Sequence, residues 1–154
     1  MKYKLTYSML DVMMSSPDRP MKDSARVHQL TRMWGGLAAL ETAETPTQAD
    51  WIAVSDAVNM METLVEMGFA KDEDNLIEEA VLILKATAER YKNGTQLRLT
   101  GAGIQLIRGL LEDYAYLTEN LDERTMVHAH RKTEMRIQDI LFGRGKEKDV
   151  RLTA

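Results

Sequence analysis

Apolar residues recur along this chain at intervals of three and four, the spacing that lines one face of an α-helix. Tyr3, Tyr7, Leu10 and Met14 form the first such stripe, although residues 3–7 also alternate as a strand does. The run Ser15-Ser16-Pro17-Asp18-Arg19-Pro20 breaks the chain. A second helix is predicted from Asp23 or Ser24, carrying Val27, Leu30, Trp34, Leu37 and Leu40 inward. Gly35-Gly36 lies in its middle. Each glycine in a helix interior costs roughly 1 kcal/mol relative to alanine, which predicts a close approach of another helix, a kink or a break, with close packing beside Trp34 the preferred reading.

Thr45-Pro46-Thr47-Gln48 reads as a helix start, with Thr45 as the cap, Pro46 at the first helical position and Gln48 closing a capping box. Trp51, Val54, Val58, Met61 and Val65 follow as a narrow seam, ending at Gly68 with Phe69 folding back on Leu64. The next helix begins near Asp72 or Asp74, bears Ile77, Val81, Leu84, Ala88 and Tyr91, and stops at Asn93-Gly94. TQLRLT (95–100) fits a brief strand or an extended loop, and as a strand it would pair with residues 2–6 in a two-stranded ribbon. From Thr100, the residues Ile104, Ile107, Leu111, Tyr114 and Leu117 mark a further helix. No proline or glycine occurs between Gly109 and Gly143. The helix therefore either continues through Leu121, His128, Met135 and Leu141 or turns once near residues 120–122. Unbroken, about 40 residues would extend on the order of 60 Å, more than a compact domain of this size needs, and a second copy of the chain would cover the far end.

The expected fold is thus all-α: four to five helices with a long C-terminal helix or helix pair and, as an option, the ribbon. Residues 1–142 form one helical domain and residues 143–154 a flexible charged tail. At 154 residues the chain buries a substantial core without staples. It contains no cysteine, which removes disulfides, thiolate nucleophiles and Cys-ligated zinc and suits a reducing cytosol. Lys4, Thr6, Ser8 and Asp11 interrupt the N-terminal apolar residues, and no run is long enough to span a bilayer. A cytoplasmic protein without a membrane span is expected.

The net charge of −4 conceals a partition. Residues 1–39 hold six cations against three carboxylates, 40–90 three against twelve, 91–123 three against five, and 124–154 eight against four. An acidic middle lies between basic ends, an arrangement that steers partners or aligns two copies.

TMVHAHRKTE (125–134) concentrates the candidate chemistry. On a helix His128 and His130 stand about 200° apart and cannot share a metal. His130 and Glu134 share a face, but no second ligand pair accompanies them. No nucleophile constellation or phosphate loop is present; Gly101-Ala102-Gly103 lacks the Lys-Ser/Thr that a phosphate loop requires. No catalysis, metal or cofactor is expected. His130, Arg131, Lys132, Glu134 and Arg136 are instead the candidate partner-binding face, Trp34, Gly35 and Gly36 the candidate dimer or helix-packing face, and Asp72, Glu73, Asp74, Glu78 and Glu79 a candidate acidic surface. The alternative is a nucleic-acid-binding regulator using the basic C-terminal stretch. Glu134, Asp139 and Glu147 interrupt that stretch, and Phe142 is the one aromatic residue near it.

Trp34-Gly35-Gly36-Leu37, SDAVNMMETLVEMG (55–68), GAGIQLIRGLLEDY (101–114) and RTMVHAHRKTEMRIQDIL (124–141) together resemble a family of small, uncharacterised bacterial proteins from prophages and other mobile elements. The resemblance covers most of the chain from about residue 26 and lies in helix faces rather than catalytic signatures. It implies a mobile-element accessory protein, for which inhibition of a host defence complex, as anti-CRISPR proteins do, is one option. The overall expectation is a non-enzymatic homodimer that binds another protein.

Overall fold

The computed structural model describes residues 4–145 and 151–153. Among them it is all-helical, with six α-helices and no strand: α1 (Met9–Met14), α2 (Asp23–Thr42), α3 (Gln48–Glu66), α4 (Leu76–Lys92), α5 (Gly101–Asn120) and α6 (Glu123–Leu141). None of the helices is long and apolar enough to cross a membrane.

α3 is the central element, and α2, α4, α5 and α6 all pack on it. Its Val54, Val58 and Leu64 are fully buried, and the Trp51 indole donates to the Leu84 carbonyl of α4 at 3.1 Å, which satisfies the one polar atom of a core tryptophan. The anticipated close approach at the paired glycines is present, but only one of them makes it. A Cβ on Gly36 would lie 2.7 Å from the Asp50 carbonyl oxygen and 3.2 Å from the Ala53 Cβ, both on α3, while Gly35 faces open space. The glycine face is therefore used within the chain, with Trp34 packed partly buried against the core.

Several boundaries differ from the sequence expectation. α1 begins at Met9 because Ser8 and Asp11 form a reciprocal capping box; Tyr7 precedes the helix, Leu10 and Met14 point outward, and Val12 points in. Tyr3 lies outside the described residues. α3 is capped by Thr47 and Asp50 rather than Thr45 and Gln48, which leaves Pro46 in the preceding loop, where it is buried. Before α4, the single 3-10 turn Glu73–Asn75 places Asp74 and Asn75 at φ of 60° and 55°, and the Asp72 carboxylate accepts from the Ile77 amide at 3.1 Å.

No ribbon forms among the described residues. TQLRLT is an extended loop whose Leu97 and Leu99 are buried. The Leu99 amide donates to the Leu40 carbonyl at 2.9 Å, and Arg98 donates to the Glu41 and Ala43 carbonyls, so the loop closes the C-terminal end of α2 instead of pairing as a strand. The C-terminal region is a helix pair. It turns at Leu121 because the Asp122 carboxylate accepts from the Thr125 amide at 2.8 Å and starts a new helix.

Within the tail expected over residues 143–154, residues 143–145 are exposed, whereas the last described residues are not. Arg151 and Leu152 are buried at 2 % and 3 % exposure. Asn59 of α3 grips the Leu152 backbone with both amide atoms, donating to its carbonyl at 3.0 Å and accepting from its N–H at 2.9 Å. Arg151 pairs with Glu62 and, at 3.1 Å, with Glu66. Residues 146–150 lie outside the described part of the tail.

Candidate functional site

The residues expected to form a docking face on α6 do not share one exposed surface. His130 and Glu134 face inward, and Glu134 accepts from both the amide (2.8 Å) and the hydroxyl of Thr6. That pairing straps the chain before α1 across α6, and it stacks Tyr7 edge-on against His130, with ring centroids 5.2 Å apart at 89°. His130 Nδ1 lies 3.3 Å from Glu134 without hydrogen-bond geometry. Arg136 forms an ion pair with Glu66 of α3, and Arg131 donates to the Met135 sulfur at 3.0 Å. Arg131 and Lys132 are half-buried. The acidic stretch is different: Glu73, Asp74, Glu78 and Glu79 are exposed, while Asp72 turns back as a cap.

Much of the charge partition is resolved inside the fold. Arg136 and Arg151 from the basic end meet Glu62 and Glu66 from the acidic middle, Arg108 pairs with Glu41, and Arg124 donates to the carbonyls of Met13 and Ser15. The basic run is thus tied to its own chain at several arginines, which reduces what it offers to phosphates.

Two further features stand out, the first of them sharing His130 and Glu134 with the expected docking face. The first is a cleft of about 360 Å³ between α2, α3 and α6. Each helix turns one stripe at three- and four-residue spacing toward it: Ala25, His28 and Arg32 from α2, Ala53, Asp56 and Met60 from α3, and Val127, His130 and Glu134 from α6. Ala25 and Ala53 leave space in the walls that larger side chains would fill. Tyr114 reaches the floor from α5. It is 1 % exposed and its hydroxyl has no hydrogen-bond partner; burial, with Asp56 and Tyr7 nearby, holds its pKa far above the ordinary phenol value. Asp56 accepts no hydrogen bond from a described residue, and its nearest cation, Arg32, stands 3.9 Å away. Burial raises the Asp56 pKa, Arg32 and His130 oppose the rise and Glu134 adds to it, although half of the side chain (54 %) stays accessible. That combination describes a carboxylate inside a concave wall. Among the described residues no group of three or more His, Asp or Glu side chains is arranged to hold a metal.

The second feature is the outward face of α1. Met9, Leu10, Met13 and Met14 are 53 %, 65 %, 66 % and 79 % exposed and cover an arc of about 140° at 100° per residue. Val12, Ser15 and the Arg124 contacts fix the other side of the helix to the body. The face is apolar, continuous and held in place.

Compared with known proteins, the chain matches no protein-family model, no curated protein and no solved structure. The functional reading therefore rests on this geometry.

Proposed function

We propose that the chain acts without catalysis, by binding another protein through the outward face of α1. The observation that carries this reading is the exposure of Met9, Leu10, Met13 and Met14 on a helix whose opposite side is anchored. Adjacent large apolar side chains left in water mark interaction surfaces, and methionine suits such a surface because its unbranched, polarizable side chain adapts to a partner's contours. The exposed Glu73, Asp74, Glu78 and Glu79 supply a separate acidic surface for steering. The resemblance to mobile-element proteins directs the search for the partner to host defence complexes. Self-association through the same face is the form a homodimer takes in this reading, since Gly36 and the α5–α6 turn occupy the routes expected from sequence.

The test is affinity capture from a host lysate after a nuclease and moderate-salt wash, comparing wild type with the variant Met9→Gln, Leu10→Gln, Met13→Gln, Met14→Gln. A defined set of proteins, or a second copy by sizing, is expected with the wild type and lost with the variant. Identical bound sets would remove α1 as the docking surface. Capture that disappears with nuclease alone would point to the nucleic-acid alternative.

A further inference from the structure

We infer that the cleft between α2, α3 and α6 is a binding site for a small organic ammonium ion, a primary amine on an apolar body. Its volume of about 360 Å³ lies at the small end of ligand pockets, roughly 300–1,000 Å³. Among the described residues, two buried polar atoms of the cleft have no hydrogen-bond partner, the Tyr114 hydroxyl, on a residue 1 % exposed, and His130 Nδ1, while the half-exposed Asp56 carboxylate has the Arg32 guanidinium at 3.9 Å. Buried polar groups are otherwise almost always paired, so an orphan hydroxyl on a cleft floor marks where a ligand atom fits. An ammonium group suits both chemistries, donating to a carboxylate such as that of Asp56 as a charge-assisted bond and to a phenol oxygen such as that of Tyr114 as an ordinary one.

The remaining groups fit this choice of charge. Glu134 adds a second carboxylate, one already satisfied by Thr6 and so fixed in place. Tyr7 contributes an aromatic ring at the mouth, and Met33, Met60 and Ala57 supply apolar wall for the body of the amine. Arg32 competes for the same carboxylate, and the imidazoles of His28 and His130 also line the cleft; the Arg32 side chain is 56 % exposed and sits at 3.9 Å from Asp56, beyond hydrogen-bond distance. A carboxylate ligand would meet Asp56 and Glu134 together.

The probes are phenethylamine, its neutral isostere 2-phenylethanol and the anion phenylacetate, each titrated at millimolar concentration into the full-length protein and followed by amide chemical shifts. Phenethylamine is expected to move resonances of residues around Asp56 and Tyr114, and the other two are not. Asp56→Asn lowers phenethylamine affinity roughly ten- to a hundredfold, the range of a hydrogen bond to a charged group. Tyr114→Phe lowers it severalfold while melting no lower than wild type, because the hydroxyl it removes has no partner to lose. Equal binding of the alcohol, binding of phenylacetate in preference, unchanged affinity in Asp56→Asn, or no response to phenethylamine would each overturn the assignment. None of these outcomes depends on α1, so they are separable from the fate of the protein-docking reading.

Discussion

The two ends of the chain invert the usual placement of side chains. Near the N-terminus four large apolar residues, Met9, Leu10, Met13 and Met14, stand in solvent; near the C-terminus an arginine, Arg151, is buried beside Leu152. The buried cation has a local explanation, because Glu62 and Glu66 neutralise it and Asn59 satisfies the adjoining backbone. A charge enters a core when its partners enter with it. The exposed methionines have no such explanation among the described residues. Nothing in the stability of this fold calls for them, and that contrast separates a feature that holds the protein together from one that faces outward to something else.

The largest expected effect falls on the buried end. Arg151→Ala removes a buried cation from Glu62 and from Glu66, which keeps Arg136, and a loss of about 3–5 kcal/mol is expected for breaking such a pair from one side, read by urea denaturation. A loss below about 1 kcal/mol, the level of a surface pair, would show that the C-terminal segment does not hold to α3. Next comes the paired glycine, where the same contrast between inside and outside occurs in adjacent residues. Gly36→Leu drives atoms into the Asp50 backbone and should cost about 1–3 kcal/mol or more, while Gly35→Ala should gain up to about 1 kcal/mol from helix propensity. Equal responses at the two positions would contradict the α2–α3 contact.

The α1 face is expected to respond little in stability. Each of the four Gln substitutions should change it by no more than about 0.5 kcal/mol, as surface changes do, even though together they abolish docking. A large loss of stability would mean that the face is covered within the chain. Asp56 gives the smallest effect, readable by its sign. Its pKa is raised in the fold, so folding favours the protonated form, and wild type loses stability relative to Asp56→Asn as pH rises from the ordinary carboxylate range through the raised value. The Asn variant should melt higher at neutral pH and lose that advantage in acid. The opposite slope would place Asp56 in a stabilising ion pair with Arg32 instead.

The helices were largely legible because their seams, such as Trp51, Val54, Val58 and Met61, follow the helical period closely. No glycine or proline marks the break at Leu121; Asp122 capping Thr125 is the signal the sequence offers there. α1 was misplaced for a related reason, since Tyr7 and Leu10 share a helical spacing that the Ser8–Asp11 box interrupts. The cleft was not legible. Tyr114 reads as one more core residue of its stripe and Asp56 as a solvated helix position, and only the packing of α5 under α3 brings their two side chains to one place. The fate of the charge partition was hidden likewise, because which glutamate meets Arg136 or Arg151 is set by tertiary contact rather than spacing.

The central claim is that the methionine face of α1 is covered by a partner in the cell. Brief peroxide footprinting, read by mass spectrometry as sulfoxide at each methionine, compares the purified protein with the protein in a host extract. The account predicts rapid oxidation of Met9, Met13 and Met14 in the purified protein and selective protection in the extract, with Met135, 41 % exposed on α6, as the exposed reference and Met33 and Met126 unreactive in both. Equal oxidation of Met9, Met13 and Met14 in the two samples would contradict it.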